Sequence, residues 1–250
     1  MKFGILGYGN LGKAFAEALL YTKMVSPHEI SVCDNSDAAL SIAKSKSFNV
    51  YSTDNINEMI ENTDVICIVV KGKVFEELSS VIDKDIIKDK LVISLMAGES
   101  FEKIYSLIGN VKLARIMPSV AIATNEGVIA YTKIPENVEE IFKKFGYAFE
   151  TPPEEIEKVT AFSACGLGFA AYLIDAFSAA GESMGFSHET ASHIAALTFK
   201  NASESQNFKE KVKEVATPGG ATEQGIKHMD SCDVYDIIQA AMQKSYEHTL

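Results

Sequence analysis

The sequence of 250 residues predicts an α/β fold, a doubly wound and mostly parallel sheet followed by an all-α domain. Three observations carry this prediction. Strand-like and helix-like segments alternate through the first 150 residues, as successive β-α-β units require. Asp64 to Val70 and Leu91 to Leu95 are near-continuous apolar runs rich in Val and Ile, the pattern of strands buried on both faces. Beyond residue 150 the strand signals stop, and Ala, Ser, Met and Phe recur at helical spacing to about Tyr246. The expected domains are therefore 1–150 and 151–250.

Taken in order, Phe3 to Leu6 is the first strand, and a helix runs from about Leu11 to Tyr21. Glu29 to Cys33 is the second strand, with a helical stretch near Asp37 to Ser45 and a short third strand at Asn49 to Tyr51. The two apolar runs follow. Weaker strands are expected at Lys112 to Ile116 and Gly127 to Tyr131. Helical patterns lie near Val74 to Ile82, Phe101 to Leu107 and Val138 to Phe145. Thr151-Pro152 reads as an N-cap followed by proline at the first helical position, opening the helical domain. Breaks within that domain are expected at Gly185-Phe186-Ser187, at Asn207 and at Thr217-Pro218-Gly219-Gly220.

Composition narrows the function classes. Apolar residues make up 47% and charged residues 23%, which excludes disordered, collagen-like and coiled-coil chains. The formal charge of −11 speaks against a general nucleic-acid or anionic-membrane binder, but not against a small anion held by backbone donors. Cys33, Cys67, Cys165 and Cys232 form no Cys-x-x-Cys pair and no metal-ligand cluster, so they read as reduced thiols of a cytoplasmic protein. No targeting segment is expected. The uncharged stretch from Val159 to Ile174 is shorter than a membrane span and carries Thr160, Ser163, Gly166 and Gly168; it reads as a buried helix of a soluble core. The five histidines stand apart and read as surface residues, and Cys165 reads as a small buried cysteine.

Gly7-Tyr8-Gly9-Asn10-Leu11-Gly12 fits Gly-x-Gly-x-x-Gly between a predicted strand and a predicted helix, the context of a Rossmann-like dinucleotide site. Gly7 would permit the tight turn, Gly9 the approach of a pyrophosphate, and Gly12 close packing of helix on strand. Asn10 and Leu11 lie in the same turn, whose unpaired N–H groups would face the anion. The bland alternative is a glycine turn that holds nothing. Asp34, at the end of the second strand and 22 positions after Gly12, suits the adenosine ribose hydroxyls. Its charge would repel a 2′-phosphate, so NADH is expected over NADPH; the alternative is a helix cap neutral to cofactor choice. Val70-Lys71 and Ala97-Gly98 follow the two apolar strands, where open α/β sheets bind ligands. Lys71 is either a polar contact or a solvated side chain.

Thr217 to Thr222 is the second notable segment. Thr217 reads as an N-cap and Pro218 as the first helical residue. Gly219, Gly220 and Ala221 would then offer unpaired N–H groups to a carboxylate without any cationic side chain, with the Thr222 hydroxyl nearby. An ordinary capped helix after a loop is the alternative.

Together these pieces resemble the pyrroline-5-carboxylate reductases. The resemblance rests on Gly7 to Gly12, Val70-Lys71, Ser94-Leu95-Met96-Ala97-Gly98, Arg115-Ile116-Met117-Pro118, Val159-Thr160-Ala161-Phe162-Ser163, and Thr217 to Thr222. It implies a Rossmann domain joined to a helical dimerisation domain, and reduction of the cyclic imine 1-pyrroline-5-carboxylate to L-proline with NADH or NADPH. By position, Thr222 matches the threonine near the imine nitrogen. Thr217, Gly219, Gly220 and Ala221 match the loop that holds the substrate carboxylate, with Ser163 and Cys165 in the segment entering the helical domain. Val70, Lys71, Ala97 and Gly98 match the cofactor side. No metal is implied. The expected partners are a small anionic imino acid and a second copy of the chain, as a homodimer or an assembly of dimers. The apolar helical half, with Phe169, Tyr172, Leu173, Phe177 and Met184, independently suggests a dimer.

This chain departs from the family pattern at three places. It has Lys71-Gly72 for Lys-Pro, Met117-Pro118-Ser119 for Met-Pro-Asn, and Ser163-Ala164-Cys165-Gly166-Leu167-Gly168 for Ser-Gly-Ser-Gly-Pro-Ala. A reductase of a related imino acid or other small acid, and a non-catalytic dinucleotide-binding regulator, are the alternatives these departures leave. A β-hydroxyacid dehydrogenase fits less well, because no lysine occurs between Lys158 and Lys200 to serve as its base.

Overall fold

A computed structural model describes residues 1–249. Its two compact units are Met1–Ala164 together with the chain end from Tyr246, and Cys165–Ser245. The first unit begins with β1 (Phe3–Leu6), α1 (Asn10–Tyr21), β2 (Ile30–Cys33), α2 (Asp37–Ser45) and β3 (Asn49–Tyr51). It continues through α3 (Ile56–Glu61), β4 (Val65–Ile68), α4 (Gly72–Ser79), α5 (Lys84–Ile87), β5 (Leu91–Ser94), α6 (Phe101–Ile108) and β6 (Lys112–Pro118). Last come β7 (Gly127–Tyr131), α7 (Glu136–Phe142), β8 (Gly146–Glu150) and the one-turn α8 (Ile156–Val159). The eight strands lie in the order β3-β2-β1-β4-β5-β6-β7-β8. All neighbours are parallel except β6 and β7. The predicted doubly wound, mostly parallel sheet is present.

The strand alternation decides which helices cover which face. Phe3, Ile5, Val65, Cys67 and Ile93 face one core, where Phe15 of α1 meets Phe142 and Phe145 edge-on at 5.9 and 5.6 Å. Leu6, Ile66, Ile68 and Val92 face the other core, with Met59 of α3, Phe75 of α4 and Ile104 of α6. Such two-faced burial explains why β4 and β5 read as continuous apolar runs.

Two expectations near residue 150 are corrected. Gly146–Glu150 is a strand, pairing parallel with β7 in a register that puts Gly127 opposite Gly146. None of its residues is fully buried and no inside–outside alternation marks it, which hid it from the hydrophobic pattern. Thr151 does not cap a helix: its N–H donates to Tyr131 O, extending the strand ladder, and a 3₁₀ turn starts only at Pro153. Strand structure thus ends at Glu150, while the first compact unit carries on to Ala164.

The second unit is helical. A π turn (Thr160–Cys165) leads into α9 (Gly166–Ser183), followed by α10 (His188–Ser203), α11 (Phe208–Val215), α12 (Ala221–Ser231) and α13 (Val234–Glu247). Breaks fall where the sequence puts them, at Gly185 to Ser187, Asn207 and Thr217 to Gly220. α9 and α10 form a hairpin held by small residues: a Cβ on Gly181 would meet the Ala191 Cβ at 3.1 Å, and the Ser178 and Ser192 hydroxyls lie 2.9 Å apart.

The stretch from Val159 to Ile174 is not a buried core helix in the single chain. In α9 only Ser178 is buried, and Tyr172, Phe177 and Met184 lie exposed. The physical reason is that an isolated helical unit of this apolarity cannot cover its own faces. Pro153–Ser183 is also long and apolar enough to cross a membrane by length and composition.

Candidate functional site

In the first unit, the glycine turn and the ends of β2, β4 and β5 converge, because β2-β1-β4-β5 are adjacent and parallel. Each glycine of the turn is required for a different reason. Gly7 has φ +101°, and a Cβ there would meet Val70 Cγ1 at 2.7 Å. Gly12 lies so close to β1 that a Cβ would stand 2.2 Å from Gly7 O. At Gly9 such a Cβ would meet nothing within 4 Å beyond its chain neighbours and the helix's own backbone, so that side of the turn is open. Gly9 is also the N-cap of α1, and the first turn of that helix carries no acidic residue. Its unpaired N–H groups therefore face outward with the positive end of the helix dipole, which is what a pyrophosphate needs. The residues fit a dinucleotide. Asn10 is exposed and Leu11 half-buried at the start of the helix.

Asp34 closes this turn. Its Oδ2 accepts the Tyr8 N–H at 2.7 Å, and its Oδ1 accepts the Ser36 N–H at 2.8 Å. Behind it, Gly7 N–H donates to Cys33 O at 2.9 Å. Burial, then the Asp34 charge, pushes the Cys33 thiol up to about 12. Burial likewise raises the Cys67 thiol. Both thiols are held protonated.

Val70 packs against Gly7, and Lys71 is the exposed N-cap of α4. At Gly72, where the family has proline, the end of the Glu99 side chain lies in the space a Cβ would take. Ala97 and Gly98 are exposed beyond β5, and Gly98 has φ +73°. The Gly98 N–H donates to Glu157 Oε1 at 3.0 Å. Glu157 itself forms a buried ion pair with Arg115. Tyr8, Glu99 and Glu157 were not legible as site residues; only Arg115 carried a signal, as the sole arginine of the chain. Ser163 lies in the π turn and is half-buried.

In the second unit, Thr217 to Thr222 differs from expectation. Thr217 is not the N-cap and Pro218 is not helical. Gly220 N–H donates to Thr217 O at 2.9 Å and Gly219 has φ +76°, so Pro218 and Gly219 form the corner of a turn. Proline followed by a glycine at positive φ specifies that turn type, which outcompetes the cap. Gly220 is the N-cap, and α12 starts at Ala221. The Gly219 N–H is also not free, for it donates to Glu223 Oε2 at 3.0 Å. That bond, then Lys227, lowers the Glu223 carboxyl. The N–H groups of Ala221 and Thr222 remain in the first turn, where a helix leaves its donors without internal partners. Ala221 and Thr222 are exposed. Cys165 is half-exposed rather than buried, at the N-terminus of α9. No cluster of His, Cys, Asp or Glu suited to a metal occurs among the described residues.

Comparison with known proteins agrees with both units. Residues 2–98 match the family described as NADP oxidoreductase coenzyme F420-dependent. Residues 153–250 match the family described as pyrroline-5-carboxylate reductase dimerisation. The pyrroline-5-carboxylate reductase of Aquifex aeolicus is 31% identical over 245 residues, 92% of this chain and 89% of that protein. That of Escherichia coli is 26% identical, over 98% of this chain and 96% of that protein. A Plasmodium falciparum pyrroline carboxylate reductase, solved with NADP bound, has the same fold, with a TM-score of 0.89 at 22% identity over 100% of this chain and 97% of that one. From the glycine turn to the last helix, this chain belongs to the pyrroline-5-carboxylate reductase family.

Proposed function

We propose that this chain reduces the C=N bond of 1-pyrroline-5-carboxylate to give L-proline, using NADH or NADPH, as a cytoplasmic homodimer or an assembly of dimers. The observation that carries the reading is the likeness to the Aquifex reductase through nearly the whole of both chains. When bound, the nicotinamide supplies a hydride to the imine carbon.

The chain's own residues have separate tasks. The N–H groups at the start of α1 and the open side of Gly9 bind the pyrophosphate. Asp34 accepts from the adenosine ribose; its negative charge favours NADH, since a 2′-phosphate there would be repelled. Val70, Lys71, Ala97 and Gly98 flank the nicotinamide side. In the helical unit, the start of α12 at Ala221 and Thr222 anchors the substrate carboxylate through backbone N–H groups, with Thr217, Gly219 and Gly220 shaping the turn that aims it. Ser163 and Cys165 border the substrate. The Thr222 hydroxyl orients the imine nitrogen or relays a proton to it. A carboxylate anchor matters because it holds the reacting carbon at attack distance.

Incubation with freshly made 1-pyrroline-5-carboxylate and NADH, followed by loss of nicotinamide absorbance and by chromatography for proline, tests the reading. Turnover to proline is expected. Tight NADH binding without turnover on this imine would overturn it in favour of another imino acid or a regulatory role.

A further inference from the structure

Arg115 on β6 and Glu157 on α8 are buried, at 4% and 8% exposure, and their charged ends meet at 2.5 Å. A buried ion pair is weak ground for stability, because apolar residues of similar volume commonly do as well. This one even leaves the buried Arg115 Nε without a partner. What the pair does hold is backbone. Arg115 Nη2 donates to Met96 O at 2.7 Å, and Glu157 Oε1 accepts the Gly98 N–H at 3.0 Å. The Thr160 hydroxyl fixes the other carboxylate oxygen, donating to Glu157 Oε2 at 3.2 Å.

Both peptide groups flanking Ala97 are thereby pinned from one side. No peptide bond among the described residues is cis, so each C=O points opposite to the N–H of its own peptide group. With Met96 O drawn inward, the Ala97 N–H turns outward. With the Gly98 N–H drawn inward, the Ala97 C=O turns outward. Ala97 is exposed, and neither its N–H nor its C=O has a hydrogen-bond partner among the described residues. The loop thus presents one donor and one acceptor side by side. A primary carboxamide offers the complement, an acceptor oxygen and a donor nitrogen.

We infer that Glu157 and Arg115 are positioning residues that turn the Ala97 peptide groups outward to receive the carboxamide of a nicotinamide. The inference rests on the dinucleotide reading above and adds how the ring's substituent is recognised. Neither side chain touches the ligand.

The test compares NADH with reduced 3-acetylpyridine adenine dinucleotide, whose acetyl group keeps the acceptor and lacks the donor. Dissociation constants are measured by fluorescence titration on the full-length protein and on the double variant Arg115→Met with Glu157→Leu. The wild-type protein is expected to prefer NADH by about tenfold, the equivalent of one net hydrogen bond. The folded double variant is expected to lose that preference while still binding the analogue. An unchanged preference in the variant would sink the inference and leave the dinucleotide reading intact. No binding of either NADH or NADPH to the wild-type protein would remove both. Should the double variant not fold, Arg115→Leu with Glu157→Met takes its place, since it too removes the acceptor for the Gly98 N–H, with the same loss of preference expected and a retained preference again decisive. A merely structural role would lower the melting temperature without moving the ratio between the two dinucleotides.

Discussion

The Tyr8 backbone N–H donates to Asp34 Oδ2 at 2.7 Å, so the carboxylate at the end of β2 holds the middle of the glycine turn at the end of β1. Asp34 also takes the Ser36 N–H through its other oxygen. The residue proposed to set cofactor preference therefore also shapes the turn. Asp34→Ser is expected to shift the NADH to NADPH ratio of kcat/KM towards NADPH by about tenfold. It is also expected to cost about 1–3 kcal/mol of stability through the lost charge-assisted bonds. Steady-state kinetics and a urea melt check the two effects; an unchanged cofactor ratio would leave Asp34 a structural residue only.

Gly9 borders open space and Gly12 borders packed backbone. Gly12→Ala forces a Cβ to 2.2 Å from Gly7 O and should cost about 1–3 kcal/mol, as overpacking does, together with dinucleotide binding. Gly9→Ala meets nothing within 4 Å beyond its chain neighbours and the helix's own backbone, so its melting temperature should stay near wild type while NADH binding falls. Thermal melts beside NADH titrations distinguish them. Equal NADH affinity in Gly9→Ala would show that the open space is not the pyrophosphate site.

Thr222 is exposed at the first turn of α12, far from the glycine turn in sequence. Thr222→Ala is expected to lower kcat by about a hundredfold, the lower range for a positioned proton transfer, with little change in NADH affinity. Turnover equal to wild type would remove the assignment.

Cys33 and Cys67 are buried beneath the sheet ends and their thiol pKa values are raised. Raising Cys33 to about 12 leaves only about one thiolate in ten thousand at pH 8. Native protein treated at pH 8 with a thiol-specific disulfide reagent should release the colour of at most two cysteines, and four after denaturation. Since the thiolate is the reactive form, the native value should rise only as the pH is taken well into the alkaline range. Reaction of three or more thiols in the native state at pH 8 would contradict this burial.

Much of the fold was legible because its signals are local. The apolar runs of β4 and β5, the glycine turn before α1, and the breaks at Gly185, Asn207 and Pro218 each depend on neighbours in sequence. The glycine turn from Gly7 to Gly12 was legible for the same reason: tight turn, open side and close packing are three demands on one short segment. β8 was not legible, because a half-exposed edge strand carries little hydrophobic alternation. Nor was the true start of α12, where Pro218 and Gly219 fit either a cap or a turn, and the Gly220 to Thr217 bond chose the turn.

By itself, then, the sequence determined the α/β and helical halves, the dinucleotide turn and the family resemblance, all of which rest on short-range pattern. Only the tertiary structure decided which groups are spoken for. Residues 59 positions apart meet where Gly98 donates to Glu157, and residues 42 apart where Arg115 pairs with it. Such contacts are set by strand order and by which face a helix buries. No pattern along the chain records either, because burial and partnership are properties of the packed chain.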